Sequence, residues 1–284
     1  MNTIRVMRNA IRIREVFAEA VHEIPIRLDF ATLMIAKEIA YPTLDVEKNL
    51  EILDDYSHTI DQRVRDTDST HDRLRRISEY LFDDLGFHGN SDNYYTPQNS
   101  FLNEVLEQRT GIPITLSIVF ISVAKRLKLP AYGIGLPGHF IVGCESSSGP
   151  VYLDPFHDGL LLEKEECIQL ARSYLSEGAV LSPSLLAPLP PPIILMRVLN
   201  NLRHIYIVQQ DLPHLLSVLR LQQTLNPRNP ELNRDIGILC THLEIWGEAV
   251  RQLRYYTFVR PQSKDAEKTR AILHEAIGHL SKLN

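Results

Sequence analysis

Residues 109–143 read RTGIPITLSIVFISVAKRLKLPAYGIGLPGHFIVG, and residues 151–156 read VYLDPF. The apolar stretch from Ile114 to Leu127 is long and unpunctuated, which predicts a buried helix. Pro130 ends it. Two strand-like runs follow, Ala131–Leu136 and His139–Cys144. The turn SSSGP leads to a third, Val151–Leu153, closed by Asp154-Pro155. One buried helix followed by an antiparallel sheet predicts an α+β domain. His139 opens one strand and Asp154 ends the next, so antiparallel pairing sets them side by side. A carboxylate that accepts the ring N–H fixes the imidazole tautomer and makes the other nitrogen a base. Without further context, such a pair is more often structural.

Before this stretch, residues 1–90 read as a helical N-terminal segment. Phe30 to Ala40 is apolar at helical spacing and stops at Tyr41-Pro42, since a residue before proline is pushed out of the helical region. Asp45 is placed to cap a helix over Lys48–Ile60. A third helix is expected from Thr70 to Leu85, ending at Gly86. SDNYYTPQNS is a loop by composition, and FLNEVLEQR is a short amphipathic helix. These lead into a core region over residues 91–182. Residues 183–192 hold five of the seventeen prolines and read as a semi-rigid boundary.

Beyond that boundary, residues 193–284 are helical and repeat. Asn226-Pro227 and Arg260-Pro261 lie 34 positions apart, the tetratricopeptide period. Gly237 and Ala249 take the small-residue positions where paired helices touch, with Leu253 as the large apolar residue. In the preceding repeat Leu202, Tyr206 and Leu219 fit, but Arg203 and Leu215 replace the small residues. A plain helical hairpin bundle is the simpler alternative. A helix over Asp265–Leu280 would cap the stack.

Bulk properties narrow the function. The chain of 284 residues has a net charge of −5, with 44% hydrophobic and 23% charged residues. Nothing in that balance favours nucleic acid or an anionic membrane. No apolar run is long enough to span a bilayer. Three widely spaced cysteines, Cys144, Cys167 and Cys240, without a CxxC, argue against a disulfide scaffold and a thiolate zinc site. A cytoplasmic protein is expected, with no cofactor.

The order of buried helix, PGH strand and strand ending in Asp-Pro resembles the transglutaminase-like (papain-like) core, whose triad runs Cys, His, Asp. NSFLNEVLEQRTGIPITLS, PGHF and LDPF, between a helical front and a tetratricopeptide-like tail, are similar to the bacterial SirB family of transglutaminase-like proteins. The likeness covers residues 25 to 262. It implies that His139 and Asp154 are the remnant of a triad whose nucleophile would sit at the N-terminus of the buried helix. There the helix dipole lowers a thiol's pKa and free amides can cradle an oxyanion.

In this chain that helix begins at Pro113-Ile114-Thr115-Leu116-Ser117, without a thiol. Ser117 is the candidate replacement nucleophile. The plainer expectation is that Thr115 caps the helix and Ser117 fills a packed turn. His139, Asp154 and His157 could meet at a metal, but no ligand pair has helical i, i+4 spacing, so no metal is expected. Tyr94, Tyr95, Asn99 and Asn103 could line the cleft or pack its loop. The expected function is that of a pseudoenzyme, a non-catalytic binding or scaffold protein that engages a protein or peptide partner through residues 193–284. The alternative is an active hydrolase or acyl transferase using Ser117 with His139 and Asp154.

Overall fold

The computed structural model describes residues 2–65, 67–176 and 178–282. Its backbone forms two compact units, residues 1–37 with 41–198, and residues 38–40 with 199–284.

The first unit opens with α1 (Asn2–His22), α2 (Leu28–Ile39), α3 (Val46–Asp61) and α4 (Thr70–Ser78). Asp45 caps α3 as expected, accepting the Lys48 N–H at 3.2 Å. Ser69 and Asp72 close a reciprocal capping box on α4. The helix expected from Thr70 to Leu85 does not continue as one form. After Ser78 it widens into a π-helical turn, Glu79–Asp84, closed by the Leu85 N–H on the Tyr80 carbonyl at 3.0 Å. The wider turn carries the consecutive residues Leu81 and Phe82 both into the core. Gly86, at φ 76°, then takes the left-handed exit.

Two short strands, β1 (His88–Gly89) and β2 (Thr110–Gly111), pair in parallel on either side of α5 (Leu102–Gln108). α6 (Pro113–Arg126) is buried continuously from Pro113 to Ala124. It packs against a four-stranded antiparallel meander of β3 (Ala131–Leu136), β4 (His139–Cys144), β5 (Val151–Asp154) and β6 (Leu160–Leu162), in that spatial order. α7 (Lys164–Ser173) follows, and its Cys167 and Ala171 join Ile134, Leu136 and Ile141 in one apolar cluster. This is the α+β arrangement that the sequence implied.

α8 (Pro191–Gln209) begins inside the expected proline linker. Prolines in a first helical turn sacrifice no hydrogen bond, so the run ends as a helix start rather than as a spacer. The second unit continues with α9 (Leu212–Leu225), α10 (Pro230–His242), α11 (Trp246–Val259) and α12 (Ala266–Lys282). The backbone repeats at the predicted period. Gln210 and Glu244 both turn left-handed at φ 57°. The Asn226 N–H reaches Gln222 O at 2.9 Å, and 34 positions on the Arg260 N–H reaches Tyr256 O at 2.8 Å. Gly237 meets Leu253 so closely that an added Cβ would fall 2.6 Å from its side chain. Where Arg203 replaces the small residue of the earlier repeat, its guanidinium instead reaches Asp235 at 2.7 Å. Among the described residues no helix is long and apolar enough to cross a membrane.

Candidate active-site remnant

The strand order places the predicted pair. β4 and β5 run antiparallel with Val142 opposite Leu153, so the start of β4 lies beside the end of β5. His139 Nε2 donates to Asp154 Oδ2 at 2.8 Å, with both side chains almost wholly buried. A proton on Nε2 leaves Nδ1 as the basic nitrogen. The turn before His139 is fixed from two sides. Gly138, at φ 64°, lies against the Tyr174 ring, and a Cβ there would sit 2.2 Å from that ring. Arg197 donates to the Leu136 and His139 carbonyls at 3.1 and 2.9 Å. Tyr174 stacks over the imidazole, the planes 11° apart.

Asp154 serves more than one partner. Its Oδ1 accepts the Phe156 N–H at 3.0 Å, and its Oδ2 also accepts His157 Nδ1 at 2.7 Å. Burial pushes the carboxyl up, but the hydrogen bonds and charge of His139 and then His157 outweigh it and hold the group below the usual carboxylate range. His157 therefore belongs to the cluster. His139 Nε2, Asp154 Oδ2 and His157 Nδ1 all lie within 4.8 Å of one another. Helical spacing did not reveal this because a 3₁₀ turn, Pro155–His157, carries the second histidine round. The signal was the capping aspartate. Asp211 and His214, also three apart, make the same contact at 2.6 Å.

At the N-terminus of α6, Thr115 Oγ1 accepts the Ile112 N–H at 3.1 Å and donates to Asn99 O at 2.7 Å. That is the cap. Ser117 is fully buried, and among the described residues its hydroxyl finds no hydrogen-bond partner, so no bond links it to His139. Asn99 ties its own loop, donating to the Asn93 and Tyr94 carbonyls at 2.8 and 3.1 Å. Tyr94 contacts Phe156 edge-on, which brings the loop to the edge of the His–Asp cluster. Asn103 is buried with an unpartnered side-chain oxygen. The three cysteines are buried, unpaired, and lie in β4, α7 and α10. Burial pushes the Cys144 thiol up to about 11, and those of Cys167 and Cys240 up to about 12. The result is a buried imidazole held by a carboxylate, while the start of α6, Pro113 to Ser117, carries no cysteine.

Comparison with known proteins agrees with this architecture. The defining pattern of the transglutaminase-like superfamily matches residues 47–200, and that of the tetratricopeptide repeat matches residues 202–274. A UPF0162 protein of Xylella fastidiosa (strain Temecula1) is 33% identical over 85% of this chain and 86% of its own length. A UPF0162 protein of Haemophilus influenzae is 23% identical over 74% of this chain and 79% of its own. Mouse F-box only protein 21 is 30% identical over 62% of this chain but only 29% of its own. No solved structure matches the chain. The chain thus belongs to the transglutaminase-like superfamily, in the group of UPF0162 proteins, and carries tetratricopeptide repeats behind its core.

Proposed function

We propose that this protein is a non-catalytic member of its superfamily, a SirB-type binding or scaffold protein of the cytoplasm that engages a protein or peptide partner through residues 193–284. The observation that carries this reading is the start of α6. Acyl transfer needs a nucleophile that is deprotonated, aimed and near oxyanion donors. The residues there are proline, aliphatics and two hydroxyls, one spent as a cap and the other without a hydrogen-bond partner among the described residues. Cys144, Cys167 and Cys240, with thiols raised by burial, supply no substitute. The repeats support the binding role, since stacked helix pairs present extended surfaces suited to partner chains. His139 and Asp154 then act as a buried, hydrogen-bonded tie between strands.

The test is a set of amine-incorporation, amidase and esterase assays on the intact protein, on Ser117→Ala and on His139→Ala, with folding checked by circular dichroism. Background rates in all three are expected. Wild-type turnover lost in both variants would overturn the proposal and establish a serine enzyme built on Ser117, His139 and Asp154.

A further inference from the structure

We propose that His139, Asp154 and His157 form a binding site for a single divalent transition-metal ion of the zinc class. Three ligand atoms of the right kind converge: His139 Nε2, Asp154 Oδ2 and His157 Nδ1, mutually within 4.8 Å. Imidazole nitrogen with one carboxylate oxygen is a donor set suited to zinc and its neighbours rather than to magnesium or calcium. Two neutral imidazoles and one carboxylate contribute a charge of −1, which a divalent ion overcompensates and a bound water or anion can balance.

The geometry of the cluster suits an ion at its centre. The two imidazole rings lie with centroids 5.8 Å apart, both aimed at one oxygen of one carboxylate. Without a metal, each ring donates a proton to that oxygen. With a metal, both rings change tautomer, and the lone pairs of Nε2 and Nδ1 take the places of those protons. For neutral rings the protons move to the opposite ring nitrogens, and the carboxylate stays ionised. The support behind the ligands is already built. The Phe156 N–H holds Asp154 Oδ1 at 3.0 Å, which keeps Oδ2 turned toward the rings in either state.

Access comes from one side. The His139 and Asp154 side chains are each only 2% exposed, whereas that of His157 is 57% exposed. An ion would therefore enter from the His157 side, with water completing its coordination beside the three protein ligands. This site stands independently of any partner held by the repeats, so loss of one leaves the other intact.

Cobalt(II) is the probe, because its visible absorption reports coordination by protein ligands directly. Intact protein is titrated with cobalt(II) and the bound ion is then displaced with zinc(II), with calorimetry giving stoichiometry. The variants are His157→Ala, which removes a largely exposed side chain, and His214→Ala, which removes the analogous contact to Asp211 elsewhere. One ion per chain is expected, with affinity at least about tenfold weaker in His157→Ala and unchanged in His214→Ala. Melting temperatures confirm that each variant is folded. The proposal is overturned by an absence of binding in the wild type. It is equally overturned by binding that His157→Ala leaves unaltered, which would place the ion at other histidines or at a buried cysteine.

Discussion

Thr115 shows how much a single side chain carries at the start of α6. Its hydroxyl satisfies the Ile112 N–H and the Asn99 carbonyl together, in a region with no water access. Thr115→Val keeps the shape and strands both groups. A loss of about 1–3 kcal/mol is expected, read as a lower urea midpoint at unchanged slope; an unshifted midpoint would show that the cap is dispensable. The identity of this cap was legible from sequence, because a threonine just inside a Gly-Ile-Pro helix start has few other uses. His139 and Asp154 were legible for a related reason: each stands beside a proline or Pro-Gly turn that fixes where its strand begins or ends. His157 was not, since its place depends on a 3₁₀ turn capped by the very aspartate it shares, which accepts the Phe156 N–H. The orphaned hydroxyl of Ser117 could not be foreseen either, because only packing decides which buried serine finds a carbonyl.

Among the elements, α10 and α11 depend on one absent side chain. Gly237 lets Leu253 approach to where a Cβ would have to stand, and the nearest atoms include the leucine branch point, which cannot simply swing aside. Gly237→Leu should overpack the pair and destabilise it by about 1–3 kcal/mol, seen as a lower melting temperature. An unchanged melting temperature would mean the helices part at no cost. Asp265 ties three elements of the same unit. It lies before α12, accepts the Tyr256 hydroxyl of α11 at 2.8 Å and receives Arg234 of α10 at 3.0 Å. The adjacent Ser263 hydroxyl, though short of hydrogen-bond alignment, is the largest influence, and with Tyr256 and Arg234 it holds the carboxyl down at about 2. A depressed folded-state value means that the unfolded chain takes up the proton first as pH falls. The contribution is complete above about pH 4 and is lost on the way to pH 2. The difference in melting temperature between wild type and Asp265→Asn should therefore shrink from pH 5 to pH 2.5; a constant difference would show that the carboxylate charge is not what holds these helices. The repeat period itself was readable from two Xaa-Pro pairs, because proline forces the same exit from α9 and from α11. The π-helical turn after α4 was not readable, since its residues are as compatible with an ordinary helix.

At the scale of the whole chain, sequence pattern specified the α+β core through apolar runs cut by prolines and turn residues, and the helical tail through its 34-residue period. The short parallel pair β1 and β2 and the last strand β6 escaped, being only two or three residues long. The 34-residue period has one more consequence, and it concerns the order in which the chain can acquire its shape. Within the repeats, these side-chain bonds from helix to helix bridge 22 to 32 residues. In the first unit, Arg126 must find Asp29 across 97 residues and Ser78 must find Gly159 across 81. Closing a longer loop costs more chain entropy before any contact repays it, and domains rich in local contacts fold faster. The helical repeats are thus the portion whose contacts with one another can close soonest, while the core waits on partners brought together from far along the sequence.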